Sequence, residues 1–258
     1  MRAAVLLMGL LSGVALVAQS PPDSEAPSSS TVLERFLARP AESLTRYRAT
    51  RHLEARNQRF KRHGWMDVVT ELSPEQGFTY TVIEEGGSDY IRRKALRSIL
   101  EGERDIIKDG TAARSALTAA NYDLVEGEEI EPGLTRLLVR PRRRDITLIE
   151  GELVVAVVDG DLVRLTGRLS KSPSFWTKRV DIVRRYGRIA GVRVPLAVES
   201  TAQVRIVGTS TLSMTYSYET VNGIKVTSGS SRKPQDHVMV QQVVRLAPPR
   251  RALLREND

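Results

Sequence analysis

Histidine is the side chain best suited to metal binding or proton transfer near neutral pH, and this chain has three, at His52, His63 and His237. No two stand at the i, i+4 spacing that a zinc-binding helix needs. His52 and His63 meet only if the strands that carry them pair, and the pattern predicts no metal site. No serine occupies a G-x-S-x-G elbow, and Ser170-Lys171-Ser172 lacks the S-x-x-K spacing. The absence of cysteine removes a thiolate nucleophile, a thiolate metal site and every disulfide. Glu126, Glu128, Glu129 and Glu131 crowd ahead of Pro132-Gly133. Such carboxylates do acid–base work or hold calcium, but no D-x-D-x-D-G spacing accompanies them, so the cluster reads as a solvated loop. The expectation is a protein that is not an enzyme and uses no cofactor.

Two further groups suit binding. Arg140-Pro141-Arg142-Arg143-Arg144 is the densest basic tract, and Arg142, Arg143 and Arg144 are candidates to meet a phosphate headgroup or a negatively charged partner. Ser172-Pro173-Ser174-Phe175-Trp176 sets two large aromatics beside a proline, placed to line a cavity mouth or to touch a partner. The net charge is +8, with arginine supplying nearly all of the positive side. Such a balance attracts anionic surfaces, although a GC-rich coding sequence also enriches arginine throughout.

These groups need elements to carry them. Leu33, Phe36 and Leu37 have helical spacing behind a Thr31/Glu34 capping box, which predicts a short entry helix ending near Pro40. Strands are expected over 44–54, 64–72 and 78–84, with a turn at 73–77. After Gly86-Gly87 the period changes. A helix is expected from Tyr90 to about Lys108 on the stripe Ile91, Ala95, Leu96, Ile99 and Leu100, with a break allowed at Gly102. A second, Ala-rich helix is expected over 112–120. Strands then return at 134–139, 145–149, 152–158, 162–170, 178–186, 192–207 and 211–220, with a short strand from Lys225 and another over 237–246. Asp159-Gly160 and Asn222-Gly223 are hairpin turns.

The first twenty residues hold Arg2 and then an uncharged apolar run too short to span a bilayer. Small residues follow, so 1–20 read as a signal peptide cleaved near Ala18 to Ser20. The domain reading is a signal at 1–20, a Pro/Ser-rich spacer at 21–31, one domain over 32–247 with a helical insertion at 88–120, and a disordered tail at 248–258. Export places the protein in the periplasm or outside the cell, and it disfavours nucleic acid as a partner. No later stretch is apolar enough for a transmembrane helix.

Long strands outnumber the helices that cover them. The fold class is therefore mainly β (α+β): a strongly curved antiparallel sheet or half-open β-barrel with an inserted helical lid. This order, together with the tract Trp176-Thr177-Lys178-Arg179-Val180-Asp181-Ile182-Val183-Arg184-Arg185-Tyr186 and the following Val192-Arg193-Val194-Pro195, resembles the periplasmic carriers of outer-membrane lipoprotein sorting (LolA-like, LolB-like and RseB-like proteins). The resemblance implies an apolar cavity under a helical lid that binds a lipid or a lipoprotein acyl chain. The lipid-anchored branch is excluded, because it needs an N-terminal cysteine. Trp65, Phe78, Tyr80, Ile91, Leu96 and Ile99, with Phe175 and Trp176, are then the candidate cavity-wall and lid residues. The same residue types also suit a filled core, in which case the chain is an interaction or sensor module for another envelope protein.

Overall fold

The computed structural model describes residues 31–39 and 43–226. The expected signal, the spacer up to Ser30, the strand over 237–246 and the tail lie outside the described residues. Helix α1 (Val32–Ala38) is followed by three strands, β1 (Tyr47–Asn57), β2 (Arg62–Ser73) and β3 (Gly77–Gly87). A helical run comes next: α2 (Asp89–Ile91), a π-helical turn (Arg92–Leu96), α3 (Arg97–Lys108) and a 3-10 turn (Thr111–Ser115). Eight strands complete the unit: β4 (Tyr122–Glu131), β5 (Leu134–Pro141), β6 (Ile149–Ala156), β7 (Leu162–Leu169), β8 (Thr177–Ile189), β9 (Val192–Val204), β10 (Gly208–Val221) and the short β11 (Ile224–Lys225).

All eleven strands form one antiparallel sheet in the order β3-β2-β1-β10-β9-β8-β7-β6-β5-β4, with β11 beside β10. Strand β1 sits between β2 and β10, so the first of the described strands lies well inside the sheet. The sheet is open, because its edges β3 and β4 do not pair. The helical run connects those two edges, which makes it a cover as well as a crossover. Register shifts interrupt the ladders β1/β10, β2/β3, β4/β5, β6/β7 and β8/β9, and each such bulge bends its strand. Gly151 and Gly167 face each other across β6 and β7. A Cβ on Gly151 would stand 2.1 Å from the Thr166 carbonyl oxygen, so no other residue fits there.

Alternation decides which side chains face inward. In β1 it is unbroken: Tyr47, Ala49, Arg51, Leu53, Ala55 and Asn57 are buried, and every residue between them is more exposed. The inner face carries two buried clusters. One joins β1–β3, β9 and β10 to Ile91, Leu96, Ile99 and Leu100 of the helical run. The other joins β4–β8 to Val32 and Phe36 of α1. The capping box is present, with Glu34 N–H donating to Thr31 Oγ1 at 3.1 Å and Thr31 N–H to Glu34 Oε2 at 2.8 Å.

Three local expectations are corrected. Residues 112–120 form only the 3-10 turn and loop. Ser115 Oγ donates to the Ala112 carbonyl, and Asn121 Nδ2 to those of Ala113 and Ala116, so side chains occupy carbonyls that a helix would use. Residues 145–148 are a turn, not a strand, because the Asp145 carboxylate accepts from both Thr147 N–H (3.0 Å) and Thr147 Oγ1 (2.9 Å). The glutamates at 126–131 lie on edge strand β4 and not in a loop. Charge along an exposed edge blocks pairing with another sheet. Elsewhere among the described residues the expected strands are present with shifted ends, and the one expected over 192–207 stops at Val204, because 205–207 turn the chain.

The helical run departs from plain α geometry where its apolar stripe does. Ile91 and Leu96 are five residues apart, one more than an α-helix allows on one face. The π-helical turn absorbs the extra residue, with Arg97 N–H donating to the Arg92 carbonyl. Leu96, Ile99, Leu100 and Glu103 then share the inner face, and α3 runs through Gly102 without a break.

Two stability predictions follow. Glu103 lies inside this packing and forms an ion pair with Arg51; the two side chains are 3% and 1% exposed. Glu103→Ala strands a buried guanidinium and is expected to cost about 3–5 kcal/mol in chemical denaturation. The double substitution Arg51→Met, Glu103→Leu recovers most of that loss. The second concerns Asp161 in the β6–β7 turn. Burial works to raise its pKa, but hydrogen bonding and charge from Arg188, with Arg193 and Arg39, outweigh it and hold the carboxyl below the usual range. A carboxyl depressed in the folded state contributes stability above its unfolded value of about 4, which is lost as pH falls through the lower folded value. The stability gap between the wild type and Asp161→Asn is therefore expected to be constant above about pH 4 and to close below it, as read by denaturation at a series of pH values.

Candidate functional site

Strand β3 is an edge, so one of its flanks has no pairing partner among the described strands. Phe78, Tyr80 and Val82 alternate along it toward α3. Between strand and helix lies an open cleft of about 560 Å³, floored by these three residues and Thr79 and flanked by Arg97 and Arg104 of α3. That volume is within the range of small-ligand sites. Among the described residues that line it, Thr79 and Tyr80 carry hydroxyls, and none carries a carboxylate or an imidazole. The lining can solvate an apolar chain and meet a negative charge at one side. It holds no nucleophile–base pair.

The helix that walls the cleft is fixed at two points. Arg51 Nη1 and Nη2 donate to Glu103 Oε2 and Oε1 at 2.6 and 3.0 Å, a two-pronged pair, and Nη2 also donates to Tyr47 Oη. Aromatic rings surround the guanidinium carbon: Tyr216 at 4.6 Å, Phe78 at 5.3 Å and Tyr47 at 5.8 Å from ring centroids. Burial pushes the Tyr47 and Tyr216 hydroxyls well above the usual phenol range, so both stay protonated. Nearer the start of the run, Arg92 and Arg97 both reach Glu85 of β3, at 2.6 and 2.8 Å. Five residues apart, they converge because the π-helical turn lies between them.

The expected wall residues divide. Phe78 and Tyr80 line the cleft. Ile91, Leu96 and Ile99 are buried in the cluster beneath the helix, which makes them its anchor. Trp65 is on the opposite face, not in a cavity wall. Gly64, Met66 and Val68 take the inward positions of β2, so Trp65 points out, stacks on His52 (6.1 Å, 26°) and lies across Gly86. Phe175 and Trp176 stand in the β7–β8 loop, edge to face at 5.6 Å and exposed, away from the cleft. His52 and His63 do lie on paired strands, but each has its own carboxylate, Asp67 at 2.6 Å and Glu54 at 3.0 Å. No group of three metal-ligating side chains occurs among the described residues.

The basic tract is partly structural. Arg142 pairs with Asp123 at 2.9 Å, and Arg143 donates to Asn121 Oδ1 at 2.7 Å and to the Arg114 carbonyl at 2.6 Å. Arg143 and Arg144 also line a second cleft of about 430 Å³, with Arg140, Arg168, Lys178 and Arg179. Sequence reasoning missed Arg51 and Glu103. Their signal was present: Arg51 occupies an inward position of β1, and Glu103 follows Ile99 by four on the apolar stripe. Two opposite charges at buried positions have to meet each other.

No protein-family model and no curated protein matches the chain. Among solved structures, a LolA superfamily protein from Nitrosomonas europaea is similar over 73% of this chain and 92% of its own, at 10% identity and a TM-score of 0.33.

Glu85 joins β3 to both arginines at the head of the cleft. Glu85→Ala is expected to speed amide hydrogen exchange over residues 92–100 and to lower stability by about 1 kcal/mol, while exchange in β5–β7 is unchanged.

Proposed function

We propose that this chain is an exported, non-enzymatic binding protein of the cell envelope that holds an acyl chain of an anionic lipid or lipoprotein in the cleft between β3 and α3. The observation that carries this reading is the lining: an apolar floor of Phe78, Tyr80 and Val82 under two arginines, on an edge strand accessible from solvent. Each methylene that leaves water contributes about 0.8 kcal/mol. Arg97 is already paired with Glu85, whereas Arg104 makes no ion pair among the described residues, so Arg104 is the headgroup contact. The ligand enters along the edge of β3. Lifting α3 would break the Arg51–Glu103 pair, which makes the helix a fixed wall and not a moving lid. The N-terminal apolar run supports export, and no helix among the described residues is long and apolar enough to cross a membrane.

A fluorescent single-chain fatty acid tests the reading by titration and by displacement with unlabelled lipid. Saturable binding is expected. Val82→Trp fills the cleft and should weaken binding about tenfold or more. Arg104→Gln should weaken the anionic probe and leave a neutral single-chain alcohol unaffected. Absence of saturable uptake by the wild type, or uptake indifferent to Val82→Trp, rules the cleft out.

A further inference from the structure

Antiparallel order puts alternate turns at the same end of the sheet. The turns β1–β2 (58–61), β7–β8 (170–176) and β9–β10 (205–207) share one end, and they are tied together. Gln58 N–H donates to the Thr209 carbonyl at 3.1 Å, Asn57 Nδ2 to the Val207 carbonyl at 3.0 Å, and Arg59 to the Ile206 carbonyl. Arg205 N–H donates to the Trp176 carbonyl at 2.7 Å, and its guanidinium lies 4.7 Å over the Phe175 ring. The three loops are therefore one surface.

That surface displays what a fold ordinarily hides. Phe175 is 74% exposed, Ile206 66%, and Phe60 and Trp176 53% each. Ile206 reaches its position at a cost, because its φ is +70°, a region that β-branched residues avoid. Val207 N–H donates to the Arg205 carbonyl at 2.8 Å, which closes a γ-turn of the rare, strained hand around Ile206. The turn spends backbone strain to aim an apolar side chain at solvent. Strain that persists at an exposed apolar tip points to function.

The charge is one-sided. Residues 57–63, 170–178 and 203–209 contain Arg59, Lys61, Arg62, Lys171, Lys178 and Arg205, and neither aspartate nor glutamate. The arginine-rich 430 Å³ cleft, whose lining also includes Glu150 paired with Arg168, adjoins the base of the same β7–β8 loop, through Ser170, Ser172 and Lys178. Exposed aromatic and aliphatic tips on turns that carry Lys and Arg but no Asp or Glu match the two layers of an anionic bilayer surface. Phosphates meet the Lys and Arg, and the rings enter the headgroup–acyl boundary, where Trp concentrates. We infer that this end of the sheet docks the protein on anionic phospholipid membranes, with Phe60, Phe175, Trp176 and Ile206 as the inserting residues. The inference does not rest on ligand binding in the β3–α3 cleft, which the three turns do not line.

The chain has two tryptophans, Trp65 and Trp176. In the full chain, Trp65→Phe leaves Trp176 as the sole reporter. With vesicles of phosphatidylcholine containing about 30% phosphatidylglycerol, its emission is expected to shift to the blue and to be quenched by brominated acyl chains. Salt at about 0.5 M should reverse the shift, and pure phosphatidylcholine should give none. The reciprocal Trp176→Phe chain should show no shift from Trp65, which packs on the outer face of the sheet against His52 and Gly86 and not in these loops. A Phe175→Ser, Ile206→Ser pair should reduce the Trp176 shift at a given lipid concentration at least about tenfold, with the thermal midpoint unchanged. Val82→Trp should leave the shift intact, which separates this result from the cleft experiment. The inference is overturned if Trp176 does not respond to the anionic vesicles, responds equally to neutral ones, or shifts with protein concentration alone, the last meaning that a second copy covers the patch.

Discussion

The bidentate pair between Arg51 and Glu103 is the contact on which the arrangement of the helical run depends. Each charge alone would be too costly to bury, and together they are tolerable only with good geometry and further partners. Those partners are Tyr47, Phe78 and Tyr216, which come from β1, β3 and β10. The guanidinium thus joins three strands of the sheet to one face of α3. Apolar packing by Leu96, Ile99 and Leu100 tolerates small slides along the sheet. A two-pronged ion pair does not, so it fixes the register of the helix over β1.

The position of α3 has consequences at the edge of the sheet. The helical run must travel from β3 to β4, the two unpaired edges, and it crosses the inner face on the way. Because Glu103 and Glu85 hold it near β1 and β3, its flank and the free edge of β3 stand apart by the width of an open, apolar-floored cleft. The π-helical turn is part of the same solution. Without its extra residue, Ile91 and Leu96 would face different ways, and Arg92 and Arg97 would not converge on Glu85.

The two ends of the sheet differ in character. At one, α1 packs by the β6–β7 turn, where Arg39 pairs with Asp159 and the backbone of Arg35 and Phe36 comes within 3 Å of where a Cβ on Gly160 would stand. Asp161 gathers Arg188 and Arg193 in that turn. Opposite charges are matched there, although Val158 at the tip of the turn is exposed. At the other end, Phe60, Phe175, Trp176 and Ile206 stand exposed on turns that carry Lys and Arg but no Asp or Glu.

Sequence patterning by itself determined the class of the fold and most of its elements. Period-two alternation marks β1, β3, β8 and β10, the capping box marks α1, and the stripe from Ile91 to Leu100 marks the cover, because each is a local rule enforced by burial on one side. Where side chains compete with the backbone locally, at Ser115, Asn121 and Asp145, the pattern overstated helix and strand. For the candidate site the residue types were legible and the faces were not: Phe78 and Tyr80 line the cleft between β3 and α3, whereas Trp65 points outward, since aromatic character does not say which face of a strand is inner. Only the tertiary structure decided that Arg51 meets Glu103 across 52 positions of chain, that β1 lies between β2 and β10, and that Phe60, Phe175, Trp176 and Ile206 share one surface. Those are pairings of distant segments, and they are set by the order of strands in a sheet, which no local spacing encodes.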